Sequence, residues 1–148
     1  MIVEAQVIIN GSKAATWAVI TDIENAAEII GGVEKIEVVE KPANGIVGLR
    51  WRETRMLFGK PATVEKWITA AVENEFYNTR AEENGFVFLT TNRIAESSGG
   101  IRLTSSHETK PQGIVARLQS LPMPLFKGVV KKALLQDLND LKSAVERQ

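Results

Sequence analysis

The stretch PMPLFKGVVKKALLQDLNDLKSAVERQ, residues 122–148, decides the fold. Its apolar residues recur at spacings of three and four, which predicts one apolar stripe along a helix. We expect this helix to begin near Pro122 or Pro124, where a missing N–H does little harm, and to run for about 24 residues, or roughly 36 Å. The stripe consists of Leu125, Phe126, Val129, Val130, Ala133, Leu134, Leu138, Leu141 and Val145. Such a stripe requires a broad apolar surface to cover.

The residues before this helix predict a sheet that supplies such a surface. Residues 2–10 alternate apolar and polar side chains, as in a half-buried strand. Six further stretches are rich in β-branched and aromatic residues and are separated by turn residues, which favours antiparallel neighbours. They are 34–41, 47–58, 62–73, 76–83, 86–96 and 101–109.

Two short helices are expected between the first two strands. Ser12 is a candidate N-cap for the first of them, and the dipeptide at 21–22 is a candidate cap for the second. Gly31-Gly32 follows the second helix and is expected to end it through a residue with positive φ. The fold class predicted for residues 1–148 is therefore α+β, in a single domain. A curved seven-stranded antiparallel sheet wraps around the C-terminal helix and leaves space for a ligand pocket between the two.

Composition excludes several classes of function. The 148 residues contain no cysteine, which excludes disulfides, thiolate metal sites and a cysteine nucleophile. Eighteen basic residues balance eighteen acidic ones, so we expect no nucleic-acid partner, although Arg50, Arg52 and Arg55 form a short basic cluster. No signal peptide or membrane span is visible, which favours a cytoplasmic protein. One histidine without a carboxylate motif predicts no metal site, and no cofactor motif is present.

Three segments resemble the START-like superfamily, also called SRPBCC or helix-grip proteins. Residues 12–22, with Trp17 and Ile20, are similar to its opening helix pair, and residues 32–39 are similar to its next strand. Residues 47–59 are similar to a run found in bacterial members. The superfamily includes polyketide cyclases, the major birch pollen allergen and lipid-transfer domains. Members usually carry a bulky residue where this chain has Ser105 or Ser106, and we expect the serines to widen the cavity.

The resemblance implies that a small hydrophobic or amphipathic ligand binds in the cavity, for transport or sensing. It favours a binding protein over an enzyme. The alternative is an enzyme of the polyketide cyclase/dehydrase kind, with Glu53, Tyr77 and His107 as candidate catalytic residues. A second alternative is a protein-interaction module, since one fold carries many functions. A monomer or a homodimer fits all three interpretations.

Alternation along strand 47–58 places Glu53 and Arg55 on the face that points into the cavity. They are interpreted either as a polar anchor for a ligand or as a structural ion pair. The ion pair is favoured, because charged residues are seldom buried without a partner. Glu65 on the next strand is expected to pair with Arg55 or to form a carboxylate pair with Glu53.

His107 shares its parity with Leu103 and Ser105, which directs it to the concave face of the sheet. It suits general acid–base chemistry, but a strand-end histidine partly in solvent is the favoured interpretation. The complete set of predicted ligand-binding residues is Trp51, Glu53, Arg55, Glu65, Trp67, Tyr77, Phe88, Leu103, Ser105, His107, Phe126, Val130 and Leu134.

Overall fold

The computed structural model describes residues 1–57 and 59–148. Their helices and strands follow the predicted order, with one additional helix before the C-terminal one. The elements are β1 (Ile2–Ile9), α1 (Lys13–Ile20), α2 (Ala26–Ile29), β2 (Val33–Glu40), β3 (Arg50–Leu57), β4 (Lys60–Val72), β5 (Phe76–Glu83), β6 (Phe86–Ser97), β7 (Gly100–Pro111), α3 (Gly113–Gln119) and α4 (Lys127–Glu146). Short 3₁₀ helices occupy Ile23–Asn25 and Met123–Phe126.

The strands of the described residues form the predicted seven-stranded antiparallel sheet, in the order β1-β7-β6-β5-β4-β3-β2. The first strand in the sequence pairs with the last, and Val3 lies opposite His107. Helix α4 packs on the concave side against β1, α1 and α2. Ile9, Ile68, Leu103 and Leu138 lie at the centre of the core, each at most 1% exposed. The helix-grip architecture is therefore confirmed.

The local structure differs from the prediction at the start of β3 and at the end of α2. β3 begins at Arg50 rather than at residue 47, because the preceding residues form a turn in which the Leu49 N–H donates to the Ile46 carbonyl at 3.0 Å. Phe58, the last residue of that predicted strand, lies outside the described residues. The predicted positive φ at Gly31-Gly32 is wrong, since α2 ends through the extended residue Ile30.

The prediction for the first short helix is correct. The Ser12 hydroxyl accepts a hydrogen bond from the Ala15 N–H at 3.0 Å, which satisfies one of the free donors at the start of α1.

The long helix is shorter than predicted and its stripe is only partly buried. α4 begins at Lys127, because the proline-containing segment before it forms a 3₁₀ turn instead. The separate helix α3 was not predicted. Burial is confirmed for Leu134, Leu138 and Val145, which are 6%, 1% and 4% exposed. It is wrong for Leu125, Phe126 and Val129, at 83%, 50% and 60% exposed.

Hydrogen bonds tie the second half of α4 to the rest of the fold. Asp140 Oδ2 accepts from the Gly31 N–H at 2.9 Å, and Glu146 Oε2 accepts from the Asn10 N–H at 2.7 Å. Lys142 Nζ donates to the Ile8 carbonyl at 2.7 Å. These contacts fix the height and rotation of α4 above the cavity.

Candidate ligand cavity and its charged wall

Strand β3 supplies one wall of the candidate site. Trp51, Glu53 and Arg55 point to the concave side, where Trp51 is 3% and Glu53 8% exposed. Arg50 and Arg52 lie on the outer face, where each forms an ion pair with Glu65. The predicted parity of this strand is therefore correct, because opposite faces alternate along it.

The concave side holds a network of four charged side chains. Glu53 Oε2 accepts hydrogen bonds from Arg55 Nε at 2.8 Å and from Lys66 Nζ at 2.9 Å. Arg55 also donates through Nη1 and Nη2 to the two carboxylate oxygens of Asp137, at 3.1 and 2.8 Å. Arg55 thus links the sheet to α4 by a bidentate bond, the geometry that makes arginine–carboxylate pairs strong. Two positive and two negative charges compensate each other.

The charges set the ionisation of the network. Burial alone would raise the pKa of Glu53, but Lys66 and Arg55 outweigh it through charge and hydrogen bonds and lower that pKa to about 2. Burial would lower the pKa of Arg55, whereas Asp137 and Glu53 raise it above its usual value. Glu53 and Arg55 are therefore both ionised at neutral pH.

Gly32 leaves room for the Arg55–Asp137 bond. A Cβ atom at this position would lie 3.1 Å from Arg55 Nη1 and 3.5 Å from Asp137 Oδ1. The glycine that was expected to end a helix by positive φ therefore serves a different purpose, which is close approach to the guanidinium group.

Tyr77 on β5 is 6% exposed and joins α1 to the sheet. Its hydroxyl donates to the Ile20 carbonyl at 3.0 Å, and its ring meets the edge of Trp17 at a centroid distance of 6.1 Å. Burial and the nearby charge of Glu53 raise the pKa of Tyr77, while a hydrogen bond with Asn92 opposes them. The phenol is therefore protonated at neutral pH.

His107 on β7 is half-buried, and its Nδ1 lies 3.5 Å from Thr90 Oγ1. Burial lowers the pKa of His107 to about 4, assisted by the positive charges of Lys66 and Arg55 and opposed by Glu53. The imidazole is therefore neutral at pH 7.

Among the cavities that the described residues form between the sheet and the helices, His107 lines two. The first has a volume of about 100 Å³ and contains the charged network together with Thr79, Thr90, Asn92 and Ser105, under Ile20, Ile23, Leu134 and Leu138. The second has a volume of about 300 Å³ and is lined by Met1, Val3, Phe88, Thr109, Met123, Phe126 and Val130. The first cavity thus holds the polar groups, and the second is largely apolar.

The structure brings most of the predicted residues to these cavities. Trp51, Glu53, Arg55, Tyr77, Ser105, His107 and Leu134 line the first, and Phe88, Phe126 and Val130 line the second. Leu103 lies on the concave side but is fully buried in the core, at 0% exposed, and lines neither cavity.

The placement of Glu65 and Trp67 in the cavity is wrong. In the β3–β4 register Arg52 lies opposite Glu65 and Arg50 opposite Trp67, so all four share the outer face. Arg50 Nη1 binds Glu65 Oε2 at 2.9 Å, and its guanidinium carbon lies 4.3 Å from the centre of the Trp67 ring. The expected partnerships of Glu65 with Glu53 and Arg55 are therefore replaced by pairing with Arg50 and Arg52.

Sequence reasoning missed Lys66 and Asp137. Lys66 has the same parity as buried Ile68, so a correct inward parity for β4 would have found it. Asp137 follows Leu134 by three positions and precedes Leu141 by four, so it lies on the apolar stripe rather than opposite it. An acidic residue within an apolar stripe indicates a charged partner on the surface that the helix covers.

The arrangement favours holding a polar group over moving a proton. Both oxygens of Glu53 are occupied, since Oε1 also lies 3.4 Å from Trp51 Nε1, and its low pKa makes it a weak base. The Tyr77 hydroxyl already donates to a carbonyl group. Residues 1–57 and 59–148 contain no cluster of three histidine, aspartate or glutamate side chains that could hold a metal ion.

Known structures share this fold at low sequence identity. TTHA0849 from Thermus thermophilus is 18% identical, with a TM-score of 0.80 over 99% of this chain and 98% of that one. A START superfamily protein from Mycobacterium smegmatis is 14% identical, with a TM-score of 0.81 over 99% and 97% of the two chains. The ZhuI aromatase/cyclase from Streptomyces sp. R1128 is 20% identical, with a TM-score of 0.75 over 99% and 94%.

The TM-scores show a common fold, and at these identities the likeness extends to the fold alone. None of the curated proteins matches the sequence. The family model described as polyketide cyclase / dehydrase and lipid transport matches residues 1–146. The chain therefore belongs to the polyketide cyclase/dehydrase and lipid transport family.

Proposed function

We propose that this protein binds a small amphipathic molecule across the two cavities. The proposal rests on the side chains that line the two cavities. The first is lined by buried polar groups around Ser105 and the second by apolar side chains around Phe126, and His107 lines both. Volumes of about 100 and 300 Å³ together reach the range of about 300–1,000 Å³ typical of small-molecule sites.

The polar end of this ligand is uncharged. Each charge of the four-residue network already has a partner of opposite sign, and the imidazole of His107 is neutral at pH 7. Thr79 and Ser105 line the first cavity and are 8% and 2% exposed. A ligand hydroxyl or carbonyl group can form hydrogen bonds with such side-chain hydroxyls, whereas a carboxylate or ammonium group would enter the cavity without a compensating charge.

Binding is better supported than catalysis, because two of the candidate catalytic side chains are fully engaged. Glu53 is held by Arg55 and Lys66, and Tyr77 by the Ile20 carbonyl. His107 is the remaining candidate, and a pKa of about 4 makes it a poor general base at pH 7. We therefore place the function with the binding members of the family rather than with its cyclases.

Titration with Nile red, an uncharged amphipathic fluorescent probe, tests this proposal. We expect saturable binding of one probe per chain. Ser105→Trp should weaken it at least tenfold by filling the first cavity, and Ser105→Val should weaken it less by removing only the hydroxyl. Ser106→Trp is the matched control, because Ser106 lies one position along β7 and points to the opposite face.

Two results would count against the proposal. Absence of saturable binding by the folded protein would mean that the space is part of a filled core. Equal binding by the Ser105→Trp and Ser106→Trp variants would place the probe elsewhere. Mass spectrometry of the small molecule that co-purifies with the protein separates binding from catalysis. A binding protein would release it unchanged, whereas an enzyme would release a chemically altered molecule. That alteration would stop in Glu53→Gln or His107→Asn.

A further inference from the structure

An apolar surface without a covering element extends from α3 to the start of α4. Half of the exposed large apolar side chains of the described residues lie within 114–129. They are Ile114, Val115, Leu118, Leu121, Leu125, Phe126 and Val129, each between 50% and 83% exposed. Scattered exposed apolar residues are ordinary, but a contiguous group of this kind marks an interaction site. We call residues 113–132 the 113–132 surface.

The segment that forms this surface carries only positive charges. Residues 109–136 contain five of the eighteen basic residues and none of the eighteen acidic ones, so the segment carries +5 and the remainder of the chain −5. Among the described residues, Arg117, Lys127, Lys131 and Lys132 form no ion pair, and all four are exposed. The basic groups are therefore available to an external partner.

Basic and apolar residues lie on common helix faces. In α3, Arg117 is three positions from Ile114. In α4, Lys132 is three positions from Val129, and residues three or four apart are neighbours on a helix. A partner of this surface must accept apolar side chains and positive charges side by side.

A second copy of the chain fits this requirement poorly. A two-fold symmetric contact places the same patch on both protomers, so its four basic residues would face four others. Like charges across an interface oppose association. The acidic remainder of the chain has no exposed apolar group of comparable size among the described residues, because its exposed apolar side chains are divided among β1, the loop before β3 and the strands β2, β3 and β4.

We infer that the 113–132 surface docks on an anionic lipid bilayer. Apolar side chains on such a surface enter the boundary between headgroups and acyl chains, while lysine and arginine pair with anionic headgroups. The segments involved would lie on the membrane without crossing it, and no helix of residues 1–57 and 59–148 is long and apolar enough to span one.

The second, apolar cavity lies directly beneath this surface. Met123 and Phe126 of the 3₁₀ segment and Val130 of α4 line it, and they belong to the same stretch of chain as the exposed residues. A docked protein would therefore bring this wall of the apolar cavity close to the lipid. The docking inference does not depend on the ligand proposal, because vesicle binding is measured without a ligand.

Co-sedimentation with vesicles tests the inference. We expect the protein to bind vesicles of 30% phosphatidylserine and 70% phosphatidylcholine, and to bind pure phosphatidylcholine much less. Leu121→Ser/Leu125→Ser removes two exposed apolar groups, and Lys131→Gln/Lys132→Gln removes two charges. Each double variant should weaken binding by about 30-fold, and 0.5 M NaCl should weaken binding of the unaltered protein.

Matched controls use exposed residues outside the surface. Val47→Ser/Val72→Ser also replaces two exposed apolar residues by serine, and Lys35→Gln/Lys60→Gln two exposed lysines by glutamine; both should leave vesicle binding unaltered. Thermal melts should be unchanged for all four variants, since every altered side chain is exposed. The inference is overturned if anionic vesicles are not bound, if either surface variant binds as well as its control, or if the surface instead mediates a dimer that Leu121→Ser/Leu125→Ser abolishes.

Discussion

The two halves of the C-terminal apolar stripe have the same sequence periodicity and opposite environments. Leu138 is 1% exposed, whereas Leu125, thirteen positions earlier on the same predicted stripe, is 83% exposed. The second half of α4 lies over the sheet and is held by Asp137, Asp140 and Lys142 through bonds to Arg55, Gly31 and Ile8. Among the described residues the first half has no such bonds to the sheet. Leu125 and Val129 face outward, while Phe126 and Val130 line the second cavity.

This difference shows that periodicity predicts which side chains share a helix face but not what covers that face. Burial requires a surface of matching length, and the concave side of the sheet accommodates the residues from Leu134 onward. The charged residues between the apolar ones distinguish the two halves. Acidic residues accompany the buried half, where they meet donors of the fold, and only basic residues accompany the exposed half.

The largest effect should follow from removing the buried half. A chain ending at Ala133 loses Leu134, Leu138, Val145 and the Arg55–Asp137 bond. Each large apolar side chain contributes roughly 1.5–3 kcal/mol when buried, against a total stability of about 5–15 kcal/mol. We expect cooperative unfolding to disappear in thermal and denaturant melts. A sharp transition near the full-length temperature would contradict the helix-grip role of α4.

A matched pair of single substitutions measures the same contrast without truncation. Leu138→Ala should lower the free energy of unfolding by about 2–5 kcal/mol, because it leaves a cavity in a close-packed core. Leu125→Ala removes the same atoms from a side chain in solvent and should change it by at most about 0.5 kcal/mol. Urea denaturation of both variants provides the comparison. Equal losses would mean that the exposed half is covered in solution.

Much of the fold could be predicted from the sequence, because alternation, turn residues and a helical stripe are local patterns. The order of the seven strands along the chain and the inward parity of Glu53 both followed from them. The helix α3 was missed because GIVARLQ is short and lies between a proline turn and a stretch of further prolines. The basic character of residues 109–136 was visible in the sequence but is concealed by the zero net charge of the whole chain.

The site was less predictable because its partners come from distant elements. Glu53 and Arg55 are two positions apart, but Lys66 is on the next strand and Asp137 is 82 positions from Arg55. Which parity of β4 faces inward depends on its register against β3, and an error of one residue moves every side chain to the other face. That error placed Glu65 and Trp67 in the cavity and left Lys66 out.

Loss of the Arg55–Asp137 bond between sheet and helix should lower the stability more than loss of the Arg52–Glu65 pair on the outer face. Arg55→Ala removes the partner of both Glu53 and Asp137, and we expect it to cost more than about 2 kcal/mol of stability, since breaking a buried pair costs about 3–5 kcal/mol and Arg55 is 27% exposed. Arg52→Ala is the control on the same strand. Its side chain is 49% exposed, so the loss should stay below about 1 kcal/mol.

Chemical denaturation of the two variants and of Glu53→Ala distinguishes these values. The double variant Glu53→Ala/Arg55→Ala should lose less than the sum of the single changes, because the Glu53–Arg55 bond is lost in each single variant but only once in the double variant. Additive losses below about 1 kcal/mol would place this pair in water and would remove the anchor between β3 and α4.

The smallest effect concerns His107, which lies where the first cavity meets the second. Its pKa is lowered to about 4 from an ordinary value of 6.5. Between these values the unfolded chain binds a proton that the folded chain does not, so stability falls as the pH decreases from 6.5 to 4. Above pH 6.5 His107 is neutral in both the folded and the unfolded chain, so this loss of stability is absent there. For a half-buried group we expect a loss of about 1–3 kcal/mol across this window.

Urea melts at several pH values separate this loss from that of Glu53. His107→Asn cannot titrate, so its stability should change little between about pH 6.5 and 4.5, while the unaltered protein weakens there. Glu53 has a pKa lowered to about 2 from 4.5, so its stabilisation is lost in the lower window, as the pH falls from 4.5 to 2. The stability of Glu53→Gln should therefore change little as the pH falls from 4.5 to 2, and should fall as that of the unaltered protein does between pH 6.5 and 4.5. If His107→Asn weakens across the upper window as steeply as the unaltered protein does, the imidazole is solvated and does not separate the two cavities.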